Sequence, residues 1–411
     1  MTVFTQLLLL LLLTQQPPDF EAKAKALITS VFVGDVDAAT AMLTPPPPAN
    51  ALKQVRDQLT GQLGSFKSIT SIRFESAQGL QIATVSCAFD KSNLNLMVAF
   101  NATGNIVGFR VAPGLTPAWS PPPYVDLQKF DEKALTLGSA PWQLPATLTL
   151  PKGTGPFPVV VLVHGSGPGD EDETIGAEKP FKDIAWGLAS NGVAVLRYKK
   201  RTLVHGAQMS KGTYTVMDET VDDARAAVAM LGKMDGIDSK RIIVLGHSLG
   251  GMLGPRITMN TAAAGLVIMA GSTRPLEELL VDQLEYLSRA GFAPQSTVEA
   301  ARRSRKEVQD PNLSPTSMVS FSGAQIPGSY WLDLRAYDAA ATAATLKIPM
   351  LIIRGDRDYQ VSAADDDGWK KTLKDRNDLT FKLYQGFESR LCKGNGALFT
   401  QRIRPTHPRR C

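Results

Sequence analysis

Cysteine is scarce in this sequence, with only Cys87, Cys392 and Cys411 among 411 residues. They are too few and too scattered for a fold held by disulfides, and they lack the spacing of metal ligands. Long apolar runs are missing as well. The leucine run at residues 7–13 is too short to span a bilayer, so we expect no integral membrane span.

A surplus of one charge sign is also absent from most of the chain. The sequence has 44 basic and 39 acidic residues, a net charge of +5. Residues 388–411 contain six of the basic residues and one of the acidic ones, which leaves 38 of each in residues 1–387. A neutral body with a short basic tail lacks the extended basic surface of a nucleic-acid-binding protein, so we expect no nucleic-acid partner.

The first 18 residues are uncharged and include the leucine run. This pattern is typical of a secretory signal, and we expect export to the periplasm or the medium. Two features oppose it. No Lys or Arg precedes the run, and the nearest small-x-small sites, Ala22 to Ala24 and Ala24 to Ala26, lie inside a predicted helix. The alternative is a hydrophobic tail on a cytoplasmic protein.

The rest of the chain falls into four segments. Helical spacing followed by alternating apolar residues predicts a small α+β domain over residues 19–112. The prolines of residues 113–124 form a stiff linker. Over residues 125–387, apolar strands alternate with helices, which predicts a mostly parallel sheet with helices on both faces. Residues 276–346 interrupt that alternation as a mostly helical cap, and residues 388–411 are an aberrant basic tail.

The strongest chemical signal is Gly246-His247-Ser248-Leu249-Gly250-Gly251. It lies between a predicted strand and a predicted helix, as the G-x-S-x-G nucleophile elbow requires. Glycines two residues either side of Ser248 allow the backbones to approach closely. We expect Ser248 to be the nucleophile and the N–H of Leu249, at the helix start, to stabilise an oxyanion. The alternative is an ordinary glycine-rich turn.

A second motif, His164-Gly165-Ser166-Gly167-Pro168-Gly169, follows an earlier strand. In this architecture such a loop supplies the other oxyanion N–H, which we assign to Ser166, with Gly167 second. A dinucleotide-binding loop is the competing interpretation. It fails because Asp170 stands where that motif has glycine, and because Pro168 has no N–H. We expect His164 to be structural.

A late strand is followed by Gly355-Asp356-Arg357-Asp358. A carboxylate just after such a strand can orient a catalytic imidazole, and acid after serine is the chain order expected here. Asp358 is the predicted acid and Asp356 the second choice. The alternative is a pair of aspartates that only shape a turn.

On these three motifs, residues 130–387 resemble the α/β-hydrolase superfamily, and most closely bacterial serine esterases related to dienelactone hydrolases and serine aminopeptidases. Residues 20–112 resemble a small cystatin-like domain that precedes some of these enzymes. The resemblance implies the α/β-hydrolase fold, Ser–His–Asp acyl transfer, no metal and no cofactor. The implied partner is a small acyl ester. Tyr330 and Trp331 in the cap are candidates to line its pocket, or else belong only to the cap core.

The base histidine is missing from its expected place after the last strand, where the chain reads Glu388-Ser389-Arg390. Of the four histidines, only His407 follows the acid, so it is the candidate base of the chain as written. A reading-frame slip is a better hypothesis. With codons GAA-TCA-CGN, reading one base later gives Asn-His, and sequencing the gene would decide. An inactive homologue that binds acyl groups, a peptidase and an acyltransferase are the remaining alternatives to an esterase.

Overall fold

The computed structural model describes residues 19–48, 50–77, 80–91, 93–111, 119–175, 178–289, 293–321, 324–387 and 389. The chain forms two compact units, Met1–Ala118 and Trp119–Cys411, with the boundary inside the predicted linker. The predicted signal segment, His407 and the basic tail apart from Ser389 lie outside the described residues.

The described residues of the first unit form three helices followed by a four-stranded antiparallel sheet. Its elements are α1 (Phe20–Phe32), α2 (Val36–Ala41), α3 (Ala51–Leu63), β1 (Phe66–Ala77), β2 (Leu80–Phe89), β3 (Asn93–Phe100) and β4 (Ile106–Val111). Strands adjacent in sequence are adjacent in the sheet. Every second residue of β2 and β3 is buried, and Leu27 and Ile28 of α1 join the same core. The predicted α+β unit is confirmed.

The second unit is built on eight strands of its described residues, which are β5 (Phe130–Leu137), β6 (Leu144–Pro151), β7 (Phe157–Val163), β8 (Ala194–Tyr198), β9 (Ile237–His247), β10 (Gly265–Met269), β13 (Met350–Gly355) and β14 (Leu379–Tyr384). They form one sheet in the order β14-β13-β10-β9-β7-β8-β6-β5. β6 pairs antiparallel with β5 and with β8, and the other neighbouring strands pair parallel.

Helices cover both faces of this sheet. In β7, Val159 and Val161 contribute to the larger core, whereas Val160 and Leu162 contribute to a second core that contains Phe181. A strand that is apolar at every position therefore has a packing partner on each side, which confirms the predicted architecture. Outside the cap, the α-helices of this unit's described residues are α4 (Pro180–Ala189), α5 (Arg201–Val204), α6 (Gly206–Met209), α7 (Asp222–Leu231), α8 (Leu249–Thr258) and α13 (Ala363–Thr372), and a π-helical turn, Met217–Val221, leads into α7.

The predicted cap lies between β10 and β13. It contains α9 (Leu276–Arg289), α10 (Gln295–Gln309), α11 (Gly328–Arg335) and α12 (Ala339–Thr345), together with a hairpin of β11 (Met318–Phe321) and β12 (Ala324–Pro327). The hairpin is an addition to the mostly helical segment that the sequence predicts. No helix within the described ranges is long and apolar enough to cross a bilayer.

Candidate active site

Ser248 lies at a sharp turn between β9 and α8. Its φ of 53° and ψ of −114° are unusual for a residue with a side chain. Such a conformation costs on the order of 1–3 kcal/mol and persists only where neighbouring contacts enforce it. One of these contacts is the hydrogen bond from the Ser248 N–H to the Met269 carbonyl, 2.9 Å long. This strain at a strand–helix turn is what a nucleophile elbow predicts.

The glycines around Ser248 are required by close backbone approach. A Cβ on Gly246 would overlap the carbonyl oxygen of Gly250, and a Cβ on Gly250 would lie 2.5 Å from the carbonyl oxygen of Val163. Helix α8 can therefore begin directly against the ends of β7 and β9 only because both positions lack side chains.

The loop after β7 packs against Ser248. A Cβ on Gly165 would lie 3.3 Å from Ser248 Cβ, so the Gly165 backbone is an immediate neighbour of the nucleophile. Ser166 and Gly167 are exposed, and Gly167 has a φ of 81° that favours glycine. The N–H groups of Ser166 and Leu249 make no hydrogen bond to any residue that the structure describes. Both are thus available to a negatively charged oxygen at this turn.

Glu173, which sequence reasoning missed, connects this loop to the elbow. Its Oε1 accepts hydrogen bonds from the Gly165 N–H and from His247 Nδ1, each 2.9 Å long. Burial would raise the pKa of this carboxyl, but His247, His164 and the Gly165 N–H lower it on balance. The one available sequence signal was the run of four acidic residues at 170–173, directly after the loop.

His164 is buried beneath the loop, between the rings of Phe181 and Tyr198. Its Nε2 lies 2.7 Å from the Asp170 carbonyl oxygen and must donate, because a carbonyl only accepts. Burial, reinforced by the charge of Lys200 and opposed by Glu173, lowers the pKa of His164. A neutral, packed imidazole agrees with the structural role expected from the sequence.

This pKa shift predicts acid sensitivity that a His164→Gln variant lacks. The pKa of His164 is lowered in the folded protein and has its ordinary value of about 6.5 in the unfolded chain. At pH values between these two, the unfolded chain binds more protons than the folded one. His164 therefore costs stability as the pH falls below about 6.5. We expect urea denaturation between pH 7.5 and 5 to show a shallower loss of unfolding free energy in His164→Gln. Equal slopes in the two proteins would contradict this.

Asp358 follows β13 and is buried. Its Oδ1 accepts hydrogen bonds from the N–H groups of Gln360 (2.8 Å) and Val361 (3.0 Å). Burial raises its pKa, while these N–H groups, the neighbouring Ser389 side chain and His247 act in the opposite direction. Its Oδ2 is buried without a hydrogen-bond partner among the described residues. One carboxylate oxygen is thus held by the turn, and the other is available to a base.

Asp356, the second choice, has a different environment. It is exposed, and its Oδ1 accepts a 2.6 Å hydrogen bond from the Gly386 N–H, which ties the turn after β13 to the segment after β14. This is a turn-shaping role. The geometry therefore favours Asp358 as the acid.

No histidine of the described chain hydrogen-bonds to Asp358 Oδ2. His164 bonds to a carbonyl, His247 bonds to Glu173, and the half-buried His205 has its Nε2 2.8 Å from the Gln143 carbonyl oxygen. Ser389 is buried beside the acid instead. Within the described residues, no group of three His, Cys, Asp or Glu side chains could hold a metal ion.

Tyr330 and Trp331, predicted to line an acyl pocket, are buried in the larger core. Trp331 is 0% exposed, and the Tyr330 hydroxyl donates to Glu219 Oε2 at 3.0 Å. The two rings pack edge to face. This placement favours the cap-core alternative over a lining role, because neither aromatic face is open to a ligand in this structure.

Comparison with known families matches residues 155–389 to Hydrolase_4, the serine aminopeptidase S33 family. Esterase EstD of Thermotoga maritima is 39% identical over 346 residues, which cover 84% of this chain and 81% of that protein. Among solved structures, Est1E from Butyrivibrio proteoclasticus has 18% identity and a TM-score of 0.45, with 63% of this chain and 90% of that chain covered. An esterase of Pyrobaculum calidifontis has 17% identity and a TM-score of 0.43, with 63% and 77% covered.

Proposed function

The chain belongs to the serine aminopeptidase S33 family of α/β hydrolases, and from that premise we propose that it cleaves carboxylic esters through an acyl-enzyme on Ser248. It is a hydrolase of carboxylesterase type. The observation that carries the proposal for Ser248 is its strained turn, together with the N–H groups of Leu249 and Ser166, which make no hydrogen bond to the described residues. The esterase relative favours esters over the amide bonds of a peptidase.

In the proposed reaction, Ser248 Oγ forms a bond to the acyl carbonyl carbon, and the carbonyl oxygen becomes negatively charged. The N–H groups of Leu249 and Ser166 stabilise that oxygen, a contribution of roughly 10²–10³ in rate per donor. The alcohol then leaves with a proton. Water attacks the acyl-enzyme, which releases the carboxylic acid and restores the Ser248 hydroxyl. Asp358 would orient the base and stabilise it when it is protonated.

The general base is the part of this mechanism that the described residues do not supply. His407, outside the described residues, is the candidate in the chain as written. The reading-frame slip at Glu388 would instead restore a histidine beside Asp358. Without a base, Ser248 is a weak nucleophile, although an intact oxyanion hole still gives rates about 10³–10⁴ above water.

Labelling with a fluorophosphonate and hydrolysis of a short-chain nitrophenyl ester test the proposal. We expect both to occur in the wild type and to be abolished in Ser248→Ala. Ser166→Ala is the matched control, because it removes a neighbouring hydroxyl but keeps the proposed oxyanion N–H, and it should retain labelling. Equal labelling and turnover in wild type and Ser248→Ala would refute the role of Ser248. Faster turnover of an aminoacyl nitroanilide than of the ester would favour the peptidase alternative.

Export remains part of the proposal, supported by the leucine run at residues 7–13. Amino-terminal sequencing of the protein from its natural host should find a start after residue 18. A cytoplasmic protein that begins at Met1 would contradict it.

A further inference from the structure

Both polar groups of the Gly165 backbone are bound by buried, charged side chains. The N–H donates to Glu173 Oε1 at 2.9 Å, and the carbonyl oxygen accepts from Lys200 Nζ at 2.6 Å. Lys200 is 2% exposed. The next two loop residues, Ser166 and Gly167, are exposed. The charged side chains thus bind a loop residue whose backbone lies against Ser248.

Peptide geometry links Lys200 to the proposed oxyanion donor. The carbonyl of Gly165 and the N–H of Ser166 belong to one planar peptide unit and, when it is trans, point in opposite directions. An ammonium group fixed on that carbonyl therefore sets the direction of the Ser166 N–H. It also polarises the peptide unit, which strengthens the N–H as a donor.

From this geometry we propose that Lys200 is a positioning residue that presets the Ser166 N–H for the oxyanion formed at Ser248. The proposal rests on the proposed function of Ser248. Glu173 complements Lys200, because its hydrogen bond from the Gly165 N–H fixes the peptide unit between His164 and Gly165. The same carboxylate oxygen binds His247 Nδ1, which connects this peptide unit to the elbow.

Lys200 is itself held rigidly, as a positioning residue must be. Its Nζ lies 2.8 Å from Glu219 Oε1, and Glu219 Oε2 accepts the Tyr330 hydroxyl at 3.0 Å. The Lys200 backbone N–H donates to the Gly169 carbonyl at 3.0 Å, so this one residue contacts both ends of the loop. The cap thereby supports the oxyanion loop through Tyr330 and Glu219, which gives the buried tyrosine a function that contact with substrate does not require.

The sequence offers a matched control one residue further along. Arg201 forms a similarly buried pair with Asp223, at 3.0 and 2.5 Å, and neither residue has a hydrogen bond to residues 164–169 in the described structure. Removing one partner of a buried pair leaves an uncompensated charge, which can unfold a protein. Each test variant therefore neutralises both members of one pair. The first is Lys200→Met/Glu219→Gln, and the control is Arg201→Met/Asp223→Asn.

The test measures hydrolysis of 4-nitrophenyl acetate and binding of phenylboronic acid. Boron binds the Ser248 oxygen, the serine proton passes to solvent, and the resulting tetrahedral boronate places a hydroxyl at the oxyanion position. Boron NMR detects this adduct without turnover.

For Lys200→Met/Glu219→Gln we expect boronate affinity and kcat to fall about 10- to 100-fold, which is less than the effect of losing a whole oxyanion donor, and KM to change by about twofold or less. Lys200→Arg, which keeps the positive charge, should recover part of the loss.

For Arg201→Met/Asp223→Asn we expect boronate affinity and kcat near those of the wild type, whatever the change in melting temperature. Equal boronate affinity in wild type and Lys200→Met/Glu219→Gln would overturn the positioning role alone, as would equal losses in the two double variants. A wild-type chain that neither hydrolyses the ester nor forms the boronate adduct would overturn the proposed function of Ser248, and the positioning role with it.

Discussion

Ester turnover should rise by about 10²–10⁴ in a Ser389→His variant, the range that a positioned general base contributes. Ser389 is buried beside Asp358, and Asp358 Oδ2 is a buried acceptor without a partner among the described residues. An imidazole at position 389 could donate one N–H to that oxygen and direct its other nitrogen at Ser248. The carboxylate would then raise the pKa of the imidazole, so the gain should increase with pH through and somewhat above about 6.5.

Two background variants show whether such a gain comes from a triad. In Ser248→Ala the added histidine should give no turnover, and in Asp358→Asn it should give only a small part of the gain, because the imidazole then lacks its carboxylate partner. The measurement is kcat/KM for a short-chain nitrophenyl ester, with thermal unfolding to verify that each variant folds. A folded Ser389→His protein as slow as its parent would exclude position 389 as a site for the base.

The same contact bears on the reading-frame hypothesis. Glu388-Ser389-Arg390 occupies the place where the sequence predicts a histidine. The structure puts Ser389, the described residue of that triplet, next to the acid. This proximity favours the hypothesis that a histidine has been lost from this segment over the hypothesis that His407 is the base. The gene sequence across the three codons is the direct check.

The sheet and the elbow could be predicted because their causes are local. Uninterrupted apolar strands such as β7 require cover on both faces, and the glycines around Ser248 respond to backbone contacts within a single strand–helix turn. The place of Asp358 after β13 could also be predicted, since a carboxylate shortly after a strand end has few possible positions, and its role as the acid stays a prediction.

Glu173 and Lys200 could not be found in this way. Glu173 reads as one of several loop acids, and Lys200 lies 35 residues from the carbonyl that it binds. Lys199 and Lys200 are adjacent in sequence, yet only Lys200 is buried. Which of two neighbouring lysines turns inward depends on the direction of β8 and on an acidic partner, Glu219, in another element. For the same reason the sequence leaves both roles of Tyr330 open, pocket lining and cap core, because aromatic content does not show which side of a cap is covered.

The elbow also predicts a large stability loss on substitution of Gly246. In Gly246→Ala the new methyl group would overlap the Gly250 carbonyl, which is main chain and cannot move unless the start of α8 moves with it. We expect a loss of about 3 kcal/mol or more in unfolding free energy, or no folded protein, and loss of fluorophosphonate labelling in whatever folds.

The control for that substitution is Gly206→Ala, where a Cβ meets no heavy atom within 4 Å. Because alanine restricts the unfolded chain and clashes with nothing here, unfolding free energy should stay the same or rise by up to about 1 kcal/mol. Urea denaturation of both variants measures the difference. If Gly246→Ala were as stable as Gly206→Ala and still labelled on Ser248, the close packing of α8 onto β9 would not be what holds Ser248 in its strained conformation. The serine's φ of 53° would then need another source.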